Sequence, residues 1–257
     1  MAYTTIDKPT DYFTPKLWTG NGSTQNITGL DFQPDWVWLK NRDSGSQEPC
    51  SYDSVRGAQK RLFTNLTSAE SDSGSGGLTA FNSDGFSLGS AGNNNASSNT
   101  YVSWNWKAGT SFTNDASATS VGSIDSTGST NSTAGFSILK YTGTGSSATV
   151  AHNLGAVPHF MLFKSMDASE NWVVYHQSNG AGGYIYLNTT AGAGSGNTTI
   201  FNNTNPTSSV FTINTDGNIN NSGDDYIAYC FTEKQGYSKF GSYTGNGNAD
   251  GPFVYTG

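Results

Sequence analysis

Short apolar runs separated by polar turns set the pattern of this chain. Trp36-Val37-Trp38-Leu39-Lys40 is almost wholly apolar between polar flanks, as expected of a short strand covered on both faces. Gly85-Phe86-Ser87-Leu88-Gly89 alternates and places Phe86 and Leu88 on one face. In Tyr101–Trp106, Val102, Trp104 and Trp106 share one face, while Tyr101, Ser103 and Asn105 share the other, the pattern of a half-buried strand. Further runs lie at Phe136–Tyr141, Phe160–Lys164, Trp172–Tyr175, Tyr184–Leu187, Val210–Ile213 and Tyr226–Phe231, with Gly, Asn, Asp and Ser between them. Helical periodicity is nearly absent. The one helical candidate, Ser54–Leu62, is weakened by Gly57. Strands this short and this frequent predict an all-β chain of sandwich or jelly-roll type.

The pattern repeats. Leu17-Trp18-Thr19-Gly20-Asn21-Gly22 returns as Lys140-Tyr141-Thr142-Gly143-Thr144-Gly145 and again as Ser242-Tyr243-Thr244-Gly245-Asn246-Gly247. Gln33–Lys40 aligns with Val157–Lys164, and Tyr101–Trp106 with Tyr226–Phe231, in the same order and at nearly one offset. A duplicated unit follows: an arm over 1–16, repeat one over 17–109, a Ser/Thr/Gly-rich linker over 110–135, repeat two over 136–236, and the start of a third repeat over 237–257. The third repeat is expected either to continue beyond Gly257 or to complete a sheet in a neighbouring molecule.

Composition narrows the function classes. Charged residues are 12%, against roughly 25% in ordinary soluble proteins. Aromatic residues at 13% argue against a disordered chain, because such segments lack the side chains that offset chain entropy. The net charge of −7 and the absence of a basic stripe argue against nucleic-acid binding, which needs clustered Lys and Arg. No apolar stretch approaches a membrane span, and residues Met1–Asp7 do not read as a signal peptide. Cys50 and Cys230 occupy non-equivalent positions in the repeat, so free thiols and a reducing compartment are expected.

The apparent chemical motifs read mostly as structure. Gly85–Gly89 matches G-x-S-x-G, but a nucleophile elbow requires a strand-to-helix turn, and its counterpart Val210–Asn214 loses both glycines and the serine. His152, His159 and His176 lack metal-ligand spacing. The aspartates mostly sit in turn contexts such as Asp84-Gly85 and Asp216-Gly217, and Asp224-Asp225 offers at most a calcium site outside the repeat pattern. No cofactor, metal or enzymatic activity is expected. The remaining charged cluster, Asp53, Arg56, Lys60 and Arg61, holds two of the three arginines. It is the candidate ligand-binding set, for an acidic sugar or a neighbouring subunit, with a solvated loop as the plainer reading.

The chain resembles repeat modules of structural and tail-associated proteins of marine bacteriophages. The resemblance is carried by Trp18–Gly22, Phe32–Arg42, Tyr52–Gly57, Tyr101–Gly109 and Gly223–Phe231. It implies two tandem lectin-like β-sandwich domains of jelly-roll type, and a virion component made in the host cytoplasm. The leading expectation is a tail-fibre or host-attachment protein that binds a cell-surface glycan, with other virion proteins as partners and a homo-oligomeric state. A capsid or tail decoration protein without a ligand is the alternative. A polysaccharide depolymerase, which needs a converging carboxylate pair, ranks last. An exposed aromatic patch would favour glycan binding; full burial of Trp36, Trp38, Trp104 and Trp106 would move any site to the loops.

Overall fold

The computed structural model describes residues 4–255. Met1–Tyr3 of the expected arm and Thr256–Gly257 of the expected third repeat lie outside the described residues. The chain is mostly β, in antiparallel sheets, with three four-residue helices among the described residues. The first unit contains β1 (Phe13–Thr19), β2 (Gln25–Thr28), β3 (Trp36–Asn41), β4 (Cys50–Asp53), β5 (Lys60–Phe63), β6 (Ser71–Asp72), β7 (Leu78–Asn82) and β8 (Gly85–Leu88), then α1 (Gly92–Asn95) and β9 (Thr100–Trp106). The second contains β10 (Thr110–Asn114), α2 (Ala116–Thr119), β11 (Ser126–Asn131), β12 (Phe136–Thr142), β13 (Ala148–Ala151), β14 (Phe160–Ser165), β15 (Val173–His176), β16 (Ile185–Tyr186) and β17 (Val210–Ile213), then α3 (Gly217–Asn220) and β18 (Asp225–Phe231).

Each unit has a large and a small sheet. The large sheets run β1-β9-β3-β4-β5-β6 and β10-β11-β12-β18-β14-β15-β16, and the small ones β2-β8-β7 and β13-β17. In the first unit, Trp18, Val37, Leu39, Tyr52 and Tyr101 of the large sheet meet Ile27, Leu78, Phe86 and Leu88 of the small one. Tyr141, Met161, Phe163, Val173 and Tyr226 meet Val150, Phe211 and Ile213 in the second. The opposite faces of the two large sheets share a third core, in which Trp36 and Leu62 pack with Phe136, Ile138, Leu162, Trp172 and Tyr229. The units therefore form one body joined through apolar surface.

The recurring sequence signature has a recurring job. Trp18 stacks on Tyr101 at 5.3 Å between ring centroids, and Tyr141 on Tyr226 at 5.4 Å. A Cβ on Gly20 would lie 2.1 Å from the Ala96 carbonyl oxygen, and one on Gly143 2.3 Å from that of Asn221, so glycine permits the close approach at both. A buried asparagine locks each loop. Asn95 accepts from the Asn21 N–H at 3.1 Å and donates to the Ser23 and Gly89 carbonyls at 2.6 and 2.9 Å. Asn220 accepts from the Thr144 N–H at 2.7 Å and donates to the Ser146 carbonyl at 2.7 Å and to that of Asn214. Lys40 and Lys164 likewise turn their ammonium groups onto backbone carbonyls of the following loop. Asn95→Ala removes those three Asn95 bonds and a fourth, to Asn21 Oδ1 at 3.0 Å, from a fully buried amide, so a loss of about 2–4 kcal/mol is expected in urea unfolding, with each bond contributing about 0.5–1 kcal/mol.

Three expectations need correction. Ser54–Leu62 is not helical, because Gly57 and Gln59 take φ of +99° and +71° and the chain then enters β5. The arm is shorter than expected, since Phe13–Lys16 already pair with Ser103–Trp106. The segment 110–135 is not a bare linker: β10 and β11 add two strands to the second large sheet, outside β12. Its polar composition fits a sheet edge, where β-branched Thr supports the strand without needing burial. Among the described residues the outer edge of β1 in the first unit has no such neighbour.

Candidate functional site

The four residues of the charged cluster divide. The side chains of Asp53 and Arg56 are buried. The Arg56 Nε donates to Asp53 Oδ2 at 2.5 Å, Nη1 to Glu70 Oε2 at 3.2 Å and Nη2 to the Ser51 carbonyl at 3.1 Å. The network crosses into the second unit, where the Tyr229 hydroxyl donates to Asp53 Oδ2 at 2.7 Å and lies 3.2 Å from Ser51 Oγ. The Trp36 indole N–H donates to the same Ser51 Oγ at 2.8 Å. Burial opposes the charge on Arg56, but Asp53 and Glu70 outweigh it and hold the guanidinium above its ordinary pKa. Burial, then the Asp53 charge, pushes Tyr229 up, so its hydroxyl stays protonated and donating. With their polar atoms committed, Asp53 and Arg56 present no surface to a ligand and instead fasten the units together. Lys60 is 41% exposed beside Glu70 and Asp72, and Arg61 lies over the Phe63 ring at 4.4 Å.

The tryptophans also divide. On the junction face of the first large sheet, Trp36, Trp106 and Phe13 form one cross-strand row and Trp38, Trp104 and Pro15 the next. Trp36 is buried under the second unit, Trp38 and Trp106 are half-buried, Trp104 is 36% exposed and Leu17 61%. A cleft of about 300 Å³ opens where the second unit ends, walled by Phe13, Trp38, Trp106, Phe160, Phe231 and Phe240. Phe240 stacks on Phe160 at 5.4 Å and 5° and is held by Glu233 Oε1, which accepts its N–H at 3.0 Å.

On the other side of this junction runs a polar groove of about 510 Å³. Its floor is the outer part of the second large sheet, with Ser111, Thr127, Ser129 and Lys140; its wall is Gln33, Asp35, Ser54 and Lys107 of the first unit. Asp35 accepts from the Ala108 and Gly109 N–H groups, both at 2.8 Å, and from the Ser54 hydroxyl at 2.7 Å. It thereby fixes the turn that carries Lys107. His159 performs the matching task in the second unit, taking the Glu233 N–H on Nδ1 at 3.0 Å. The sequence reading missed this groove because its floor lies in the stretch read as linker. The available signal was the Ser126–Asn131 run followed by a Gly135 turn and a strand, which is a hairpin pattern.

The remaining motifs are structural. Gly85 and Gly89 are required by close approach: an added Cβ would lie 1.9 Å from the Ile27 carbonyl oxygen and 1.8 Å from that of Ser75. Ser87 Oγ between them is bonded to Asn26 and Asn82. Asp225 accepts from the Thr142 hydroxyl and Asp224 from the Asn221 amide. Among the described residues no three His, Cys, Asp or Glu converge as metal ligands. Cys50 and Cys230 are buried and unbridged, and burial pushes the Cys50 thiol up to about 12.

His152 is fully buried and pinned as the neutral Nε2–H tautomer, because Nδ1 accepts from the Leu154 N–H at 3.2 Å while Nε2 faces the Thr207 carbonyl at 3.1 Å. Burial pulls its pKa down to about 4 from 6.5, with the Thr207 bond opposing. Between those values the unfolded chain binds the extra proton, so stability falls as the pH drops through this window. His152→Gln should flatten that part of the stability–pH curve. An unchanged acid limb, followed by urea unfolding at several pH values, would place the acid sensitivity elsewhere.

Fold and sites together describe a mostly β protein in which a polar groove and an aromatic cleft lie where the two units meet. The chain belongs to the family described as a domain of unknown function, DUF7483, which matches residues 8–257. No curated protein and no solved structure matches it.

Proposed function

We propose that the chain is a bacteriophage virion structural protein of the tail-fibre or host-attachment type, and that it contacts a glycan of the host surface. The observation that carries this reading is the half-open tryptophan face: Trp104 is 36% exposed beside half-buried Trp38 and Trp106. Exposed indole faces stack on the apolar faces of sugar rings, and polar groups alongside can take the hydroxyls. The resemblance of Trp18–Gly22, Phe32–Arg42 and Tyr101–Gly109 to phage tail-associated modules points the same way, as does the lectin-like sandwich reading of each unit. Other virion proteins and further copies of the chain are its partners in this reading, and the virion is its location.

A second reading, a decoration protein without a ligand, is favoured by two features suited to assembly. Among the described residues the outer edge of β1 is unpaired, and Tyr243 in the third copy of the first-strand signature is 70% exposed and outside any strand. Gold-labelled antibody electron microscopy of particles carrying the protein separates the two. Label on the tail or its fibres is the expected result. Label spread over the head makes it a decoration protein, and particles without label remove the virion assignment.

A further inference from the structure

We infer that the polar groove at the unit junction binds an anionic saccharide chain; this rests on the attachment reading and names its ligand class. Six side chains line the groove with no hydrogen bond or ion pair of their own among the described residues: Gln33, Lys107, Ser111, Thr127, Ser129 and Lys140. Several amides and cations elsewhere are instead committed within the chain. Asn95 and Asn220 lock loops, Lys40 and Lys164 hold carbonyls, and Arg56, Lys8 and Lys60 face carboxylates. Ser129 is only 6% exposed, so its hydroxyl has little access to bulk water except through the groove it lines. A polar group so placed gains from a ligand that supplies its bond.

Charge selects the ligand. Asp35 is the one carboxylate lining the groove among the described residues, and three donors within the chain already occupy it. Lys107 and Lys140 therefore make the groove a local positive exception on a chain of net charge −7. The hydroxyls and the Gln33 amide can both donate and accept, which suits sugar hydroxyls, while the two ammonium groups suit carboxylates. Shape selects a chain rather than a single ring. A second groove of about 380 Å³ shares Lys107 and Gly109 and continues along Thr110, Asn131 and Thr133. The hairpin that forms most of the floor has no counterpart beside β1 among the described residues of the first unit. The groove is therefore a feature added to the common unit, not a consequence of folding it.

The test is affinity electrophoresis of the full chain in native gels containing polygalacturonate, with dextran as the uncharged control. Polygalacturonate should retard the protein and dextran should not, and added salt should weaken the effect by screening. Lys107→Ala/Lys140→Ala should bind about tenfold more weakly, as expected for losing two exposed charge contacts, with an unchanged melting temperature. Ser129→Val should also bind more weakly. No retardation, or equal retardation of wild type and the double lysine variant, overturns the inference. Displacement of the protein by inorganic polyphosphate as readily as by galacturonate oligomers overturns the saccharide class. Gold label on tail fibres together with no retardation rejects the groove and leaves the attachment reading intact. Retardation lost in the lysine variant together with label on the head supports the groove and rejects attachment.

Discussion

Replacing Arg56 with methionine is expected to lower the unfolding free energy by about 3–5 kcal/mol, the scale for breaking a buried ion pair from one side. Asp53 is 0% exposed and would keep only the Tyr229 hydroxyl and the Arg56 backbone N–H, at 2.7 and 2.8 Å, to stabilise its charge. Glu70 and the Ser51 carbonyl would lose their donors in the same step. The cost is therefore that of an uncompensated buried carboxylate, not the modest net value of the pair. A double variant, Asp53→Asn/Arg56→Met, should recover part of the loss, because the amide leaves no bare charge behind. Lys60→Ala serves as the contrast. Its ammonium is 3.7 Å from Asp72 and 4.0 Å from Glu70 on a 41% exposed side chain, so less than about 1 kcal/mol should be lost. Urea titration by far-ultraviolet circular dichroism measures all three. If Arg56→Met costs no more than Lys60→Ala, the network is not what fastens the units.

Much of the strand layout is legible from alternation and from the turn residues between runs. Phe86 and Leu88 share the buried face as their spacing requires, and β3 reads as the near-continuous apolar run of a strand covered on both sides. Less legible is which face of a strand does what. In β9 the Tyr101, Ser103 and Asn105 face is the buried one, and the face bearing Val102, Trp104 and Trp106 is partly open. Apolarity misleads there because the polar face is tied down by its donors: the Asn105 amide N–H groups reach the Thr14 carbonyl and Ser103 Oγ, at 2.7 and 2.9 Å. The charged cluster misleads for the opposite reason. Its spacing looks like a solvated loop, and only a partner far along the chain, Tyr229, reveals that Asp53 is internal. The groove was hidden by composition, since a run of Ser, Thr and Gly reads as linker until the strand beside it is known.

Trp36→Ala should also cost about 3–5 kcal/mol, the range for truncating a buried tryptophan, and it asks a different question. Trp36 stacks on Trp106 within its own sheet at 4.3 Å and on Tyr229 of the second unit at 4.4 Å. Its removal opens a cavity between the two large sheets and leaves Ser51 Oγ without its indole donor. Because both units contribute to that core, the variant should still unfold in one transition, at a lower urea midpoint by fluorescence and by circular dichroism alike. A loss below about 1 kcal/mol would mean that the sheets touch without sharing a core, since cavities in shared cores cost several times more. The site should respond as well. The aromatic cleft and the polar groove both have one wall from each unit, so their widths depend on how firmly the sheets are held. Loosening the contact at Trp36 should weaken polygalacturonate retardation although no groove residue has changed. Retardation at wild-type strength in a clearly destabilised Trp36→Ala would show instead that the groove keeps its shape without the aromatic core, with the Asp53–Arg56–Tyr229 network sufficient to hold the two walls in place.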